Sequence, residues 1–282
     1  RSGAARGCVE ARGESPHARR EVKERERLRE VRGGPLALAQ YAPAGLGRER
    51  HARGGEHREG GEHRVALGLE ALDHYVGTLA MRFEAPLFVC LDNFSEDEHT
   101  PWVHSRLGWL ERDAHAVEFE AHNFDDRTEV HYAAVQRPSL LLPVAGVRPG
   151  DTFRNDWVTR FDPVRTDYVI SWSDPRTRER RPLGLRAQIF MVPESARVTL
   201  FHIVLFARVF DRRLVPLVRP LAPVLRALVW KEIDDDRRFV PLVADTPERM
   251  KGMRLGRFDK PLIHNRRLLD RLYWGRPETD PE

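Results

Sequence analysis

The chain has 282 residues, 41% of them hydrophobic and 32% charged, enough apolar material for one large domain or two small ones. Its 47 basic and 43 acidic residues leave a net charge of +4, which is no concentrated basic face and argues against a nucleic-acid partner. Two cysteines, Cys8 and Cys90, exclude a disulfide framework and fit a reducing, cytoplasmic setting, and no run approaches the ~20 apolar residues of a membrane span.

Residues 1 to about 64 are dominated by Arg, Gly, Glu, Ala and His, with Tyr41 the only aromatic. A short echo runs Gly54-Gly55-Glu56-His57-Arg58 and again Gly60-Gly61-Glu62-His63-Arg64. Such a segment buries too little apolar surface to offset its ordering entropy, so residues 1–75 are expected to be disordered or a truncated remnant. Ser15–Arg32 has the composition of a charged, solvated helix. No signal peptide is visible. The sequence opens at Arg1 and its first methionine is Met81, which points to a fragment or partial gene product.

The first stretch that carries chemistry is Asp92-Asn93-Phe94-Ser95-Glu96-Asp97-Glu98-His99-Thr100-Pro101-Trp102-Val103-His104, set among Phe88, Val89, Leu91, Leu107 and Trp109. Imidazole is the commonest protein metal ligand, and two His plus a carboxylate with open positions suit non-haem Fe(II) and O₂ chemistry. Glu96 and His99 share a helix face. His99 and His104 would stand about 140° apart on an ideal helix, too far to converge without a distortion. Pro101 lies between them and predicts a kink or a helix end. A spacing of this kind also fits two ordinary histidines.

Asn-Phe-x-acid-x-x-His-x4-His resembles the mononuclear iron motif of Rieske-type ring-hydroxylating oxygenases, and is most similar to their monooxygenase and O-demethylase branch. The resemblance implies that His99 and His104 bind iron. It implies that Glu96 stands where the family has the Asp linking the iron to a neighbouring subunit's iron–sulfur cluster, and that Asn93 lies beside the iron. The Asp-to-Glu change keeps the charge and adds a methylene. The family holds its [2Fe–2S] cluster through Cys-x-His and Cys-x-x-His pairs. Cys8 is followed two on by Glu10 and Cys90 by Asp92, so those cluster ligands are absent from this chain. The resemblance spans roughly residues 83–275.

From Val117 to Arg208 the pattern is strand-like. Val117, Phe119 and Ala121 alternate with polar residues, as do Val130, Tyr132 and Ala134, with Asp125–Arg127 as the turn. Trp157–Phe161 precedes Tyr168, Ile170 and Trp172 across Asp162–Pro163, and Gln188–Val192 joins Val198–Phe206 through Pro193-Glu194-Ser195. Short alternating runs with polar turns predict an antiparallel meander. His202 sits among Val198, Leu200, Val204 and Phe206, where a hydrogen-bonded core histidine is the simpler reading and a substrate contact the sharper one. By resemblance, Asn155 and Gln188 lie on strands that border the substrate cavity.

Pro216, Pro220 and Pro223 predict a broken helix start. Beyond them Leu225, Val229, Ile233, Asp236, Val240 and Val243 recur at steps of 4, 4, 3, 4 and 3, one face of a helix. Asp234 and Asp235 point away from this stripe and Asp236 lies in it. A carboxylate there is costly unless paired with an arginine or bound to a metal. The family's carboxylate ligand comes from an acid-Asp-basic triplet on its C-terminal helix, which Asp235-Asp236-Arg237 matches. Pro241 predicts a kink close by. Thr246-Pro247-Glu248 reads as a further helix start and Arg266–Trp274 as a last helix, ended by Gly275 and Pro277, packed on the outer sheet or a neighbouring subunit.

The predicted architecture is α+β: residues 76–282 form an antiparallel sheet around a long C-terminal helix, the helix-grip (START-like) shape that the resemblance implies. The implied activity is that of an oxygenase. A mononuclear Fe(II) held by His99, His104 and Asp236 would activate O₂ to hydroxylate or O-demethylate an aromatic or related hydrophobic molecule. Electrons would come from a reductase or ferredoxin through a Rieske cluster in the adjacent subunit of a homotrimer. The alternative is a non-catalytic helix-grip binder of a hydrophobic ligand, with the His pair structural and Asp236 salt-bridged. A third is a Zn²⁺ hydrolase on the same ligands, which needs a separate general base.

Overall fold

A computed structural model describes residues 69–140, 142–248 and 254–276. The expectations for the N-terminal segment up to residue 68, the Ser15–Arg32 helix included, lie outside the described residues, as does most of the helix expected after Thr246.

Seven antiparallel strands make one sheet: β1 (Asp73–Phe83), β2 (Glu118–Asn123), β3 (Arg127–Val135), β4 (Thr152–Phe161), β5 (Val164–Ser173), β6 (Leu183–Ser195) and β7 (Val198–Val209). Their order across the sheet is β1-β7-β6-β5-β4-β3-β2. Strands β2 to β7 therefore form the expected meander. The chain's first strand, β1, pairs with its last one, β7. β1 was not read from the sequence because Gly77, at φ 154°, breaks its alternation; the register slips between Tyr75 and Gly77. It also opens at Asp73, a few residues before the expected domain start. Elsewhere the two-residue period sets the faces. In β3, Thr128, Val130, Tyr132 and Ala134 are buried and alternate with half-buried residues.

Against this sheet lie α1 (Leu87–Asn93), the four-residue α2 (Thr100–Val103), the long α3 (Val215–Phe239) and α4 (Lys260–Leu268). α3 packs across β1 and β7 and buries Val218, Leu225, Leu228, Val229, Ile233 and Asp236. The proline-broken start does not occur. The helix runs continuously from Val215 with Pro216 in its first turn and Pro220 and Pro223 inside it. Pro241 does end it: after Phe239 the chain tightens into a 3₁₀ turn, Val240–Val243. That change of pitch turns Val243 out to solvent, although Val240 stays fully buried. No helix among the described residues is long and apolar enough to cross a membrane.

α4 closes the β2–β3 end of the sheet, where Thr128 Oγ1 donates to Asn265 Oδ1 at 2.6 Å. Its Arg266 holds Asp92 on α1 with Nε 3.0 Å from Oδ2 and donates to the carbonyls of Pro247 and Glu248. The tail thus packs within its own chain, on the sheet edge and on the helix that leads into the histidine motif.

A polar chain crosses the core. Trp172 Nε1 donates to Gln136 Oε1 at 2.9 Å, and Gln136 Nε2 donates to the carbonyls of Arg106 and Arg137 at 2.9 and 2.7 Å. Trp172 and Gln136 are 1% and 2% exposed, so a lost partner here is not replaced by water. Trp172→Phe should cost about 1–3 kcal/mol in urea unfolding, the penalty for orphaning a buried acceptor. An unchanged midpoint would show that this chain carries no stability.

Candidate metal centre

His99 is the residue just before α2 and His104 the residue just after it. Pro101 falls in the first turn, where its missing N–H costs nothing. His104 has already left the helix, at φ −88° and ψ 146°. The 140° divergence expected on a continuous helix is thereby removed. The two rings stand with centroids 5.1 Å apart and Nε2 atoms 3.2 Å apart.

Asp236 completes a triangle from α3. Its Oδ1 is 3.4 Å from His99 Nε2 and 3.4 Å from His104 Nε2. Neighbouring ligands on an ion with bonds of about 2.1 Å lie about 3.0 Å apart in octahedral and about 3.4 Å apart in tetrahedral geometry. Edges of 3.2 and 3.4 Å fit a metal without movement of the backbone.

The second nitrogens explain why these atoms need a cation. His99 Nδ1 is hydrogen-bonded to Glu96 Oε1, and His104 Nδ1 lies 3.3 Å from Glu232 Oε2. A carboxylate facing Nδ1 makes that nitrogen the protonated one and leaves a lone pair on Nε2. Two such lone pairs and a carboxylate oxygen then converge in a buried place, which is repulsive unless a proton or a metal sits among them. Without metal, His99 takes the proton. Burial works against its charged ring, but the Glu96 and Asp236 carboxylates outweigh burial and hold it well above the ordinary imidazole range. Burial pushes His104 the other way, below that range. Burial also opposes ionisation of Asp236, yet His104, His99 and Asn93 together hold its carboxyl below the usual value. A divalent ion would displace that proton.

The expected site residues divide into two groups. Asn93 donates through Nδ2 to Asp236 Oδ1 at 3.1 Å, so it lies beside the triangle and fixes the carboxylate. Glu96 grips His99, its carboxylate also accepting from the backbone N–H of Glu98. Asn155 lines a cavity of about 120 Å³ that opens onto the triangle. Gln188 and His202 do not line it. Ala187 and Ile189 face the cavity from β6, and the two-residue period sends Gln188 to the opposite face of the sheet. On β7 the inward residues are Phe201, Ile203 and Leu205, and His202 stands on the outer face beside Ala80 of β1. His202 is half-buried there, so it neither lines the cavity nor lies in the core.

Four residues of the site were not picked out by sequence. Glu232 is four residues before Asp236 and so on the same side of α3, a spacing that offered a signal. It is 5% exposed, and burial pushes its carboxyl up to about 7. Asp97 accepts from Thr100 Oγ1 and Trp109 Nε1, each at 2.7 Å, and braces the turn before His99. Arg137, at the end of β3, donates to the carbonyls of His104, Trp109 and Pro101. Tyr168 donates its hydroxyl to the carbonyl of Phe94. The last two act across 28 residues or more of sequence, and no local pattern announces them.

Outer carboxylates of this kind typically set metal affinity by about 10–100-fold. Glu232→Ala should weaken Fe(II) binding by about that factor in a chelator competition, with Glu232→Gln retaining more. Equal affinity in all three proteins would exclude Glu232 from the centre.

No family model matches the sequence, and no curated protein matches it. Among solved structures, dicamba monooxygenase bound to 3,6-dichlorosalicylic acid superposes with a TM-score of 0.54 over 73% of this chain, at 13% identity. A quaternary ammonium Rieske monooxygenase gives a TM-score of 0.46 at 14% identity, over 76% of this chain and 54% of its own. The chain spans 62% of the length of the dicamba monooxygenase structure. At such identity the likeness is one of fold alone: an α+β arrangement of seven antiparallel strands and a few helices, shared with part of the dicamba monooxygenase structure.

Proposed function

We propose that the chain is the catalytic domain of a Rieske-type non-haem iron oxygenase, built as a helix grip with α3 held in the sheet. The observation that carries this reading is the convergence of His99 Nε2, His104 Nε2 and Asp236 Oδ1 within 3.4 Å of one another, beside an apolar cavity. The ligand-binder reading pairs Asp236 with a protonated His99 and gives no role to the second imidazole on the same oxygen, His104 Nε2 at 3.4 Å.

In this reading His99, His104 and Asp236 hold Fe(II), which supplies O₂ activation when bound. The overall reaction is R–H + O₂ + 2e⁻ + 2H⁺ → R–OH + H₂O, and on a methoxy carbon it ends in O-demethylation. The protein's own residues do the rest. Glu96 fixes the His99 tautomer, Glu232 stands 3.3 Å from His104 Nδ1, and Asn93 orients the Asp236 carboxylate. Phe153, Trp157, Ile170, Leu185 and Ile189 exclude water around a hydrophobic substrate. Glu96, hydrogen-bonded to His99, would be this chain's contact with a Rieske cluster outside this sequence; the cluster would supply electrons from a reductase or ferredoxin across the interface of a homotrimer in a cytoplasmic protein.

Hydrogen peroxide tests this without the cluster, because it supplies oxygen and both electrons: R–H + H₂O₂ → R–OH + H₂O. Iron-loaded protein given peroxide and a simple arene should form the phenol, and the His99→Ala variant should not. Equal product from both, or none from either, would favour the binder.

A further inference from the structure

β4 presents Phe153, Asn155 and Trp157 to the cavity, at alternate positions of one strand face. The indole of Trp157 is 3% exposed, and its Nε1–H has no hydrogen-bond partner among the described residues. The Asn155 Oδ1 atom two residues earlier is also buried without a partner. Two adjacent unsatisfied polar atoms in an otherwise apolar wall are costly in a folded protein, and a place where this occurs twice is a place for a ligand's polar group. Glu96, Asp97, Glu232 and Asp236 line the cavity, and no lysine or arginine does among the described residues. The one cation of the metal-free lining, protonated His99, already lies between the Glu96 and Asp236 carboxylates, which leaves it matched before an anion arrives.

Resting on the oxygenase reading, we propose that the substrate is a neutral arene carrying a hydrogen-bonding oxygen, which accepts from Trp157 Nε1–H, and that aromatic carboxylates are excluded. The apolar wall takes the ring and β4 takes the oxygen. An aromatic acid would bring its charge into a cavity already lined by carboxylates, at a desolvation cost that no cation repays.

The test uses three probes of one shape: acetophenone, α-methylstyrene, in which a CH₂ replaces the carbonyl oxygen, and benzoate. Binding is measured by calorimetry on the full chain, metal-free and iron-loaded. Acetophenone should bind about three- to tenfold more tightly than α-methylstyrene, the worth of one hydrogen bond. Benzoate should bind at least about tenfold more weakly than acetophenone. Trp157→Phe keeps the aromatic bulk and should abolish the acetophenone preference; Asn155→Leu, which leaves the indole in place and removes only the acceptor of the unpartnered pair, should keep it. Benzoate binding as tightly as acetophenone would overturn the inference. So would a preference unchanged in Trp157→Phe, or no binding of any probe. Iron content of the same samples reports separately on the oxygenase reading. Iron without discrimination sinks this inference alone, and discrimination without iron sinks that reading alone.

Discussion

Replacing Asp236 by alanine should lower the affinity for Fe(II) by about a thousandfold while leaving the metal-free fold nearly as stable as before. A protein metal site of four ligands is worth roughly 10–16 kcal/mol, so one ligand accounts for about 3–4 kcal/mol, or two to three powers of ten. The stability half of the prediction separates the two roles open to a buried aspartate. If Asp236 were a structural ion-pair partner, its removal would strand a buried charge and cost about 3–5 kcal/mol. Its neighbours are instead Asn93, His104 and a His99 ring that keeps the Glu96 carboxylate as its partner once Asp236 is gone. They lose one hydrogen bond and one charged contact and shed the desolvation of a carboxylate that is 3% exposed. Chelator competition measures the first effect and urea unfolding of metal-free protein the second. Unaltered iron affinity with a large loss of stability would mean that the carboxylate is a strut and not a ligand.

Arg137→Met should produce the largest loss of stability of the substitutions considered, about 3–5 kcal/mol, and should weaken metal binding with it. The guanidinium is 7% exposed and reaches three carbonyls of the segment that carries the histidines, those of Pro101, His104 and Trp109. Hydrogen bonds from a charged donor are worth about 1.5–3 kcal/mol each, and buried carbonyls left behind are not rehydrated. Methionine keeps most of the side-chain volume, so the effect reports the donors and not a cavity. The His104 carbonyl is among those released, so the ring after it loses its fixed position and iron affinity should fall as well. Urea unfolding that matches the unsubstituted protein would show that the loop from His99 to Trp109 holds itself in place.

The sequence read best where one period governed. The alternation in β2, β3 and β5 named their inward faces in advance, and the four-three stripe on α3 placed Asp236 inward, although Asp234, read as pointing away, is buried as well. It read less well where two periods competed. Gly77 hid β1, and three prolines predicted a broken start to α3, whereas the helix runs continuously with Pro216 in its first turn and Pro220 and Pro223 inside it. Gln188 failed for a different reason. It lies on the right strand but on the wrong face, and strand membership taken from a resemblance fixes no parity. Arg137 and Tyr168 were out of reach, since their roles are contacts to backbone carbonyls that only the closed sheet brings near.

The most direct measurement is the iron content of protein purified anaerobically with Fe(II), beside a His99→Ala variant prepared in the same way. The account predicts about one iron per chain, lost from the variant while its fold is kept. Iron in neither protein, or the same iron in both, would contradict a metal centre at His99, His104 and Asp236.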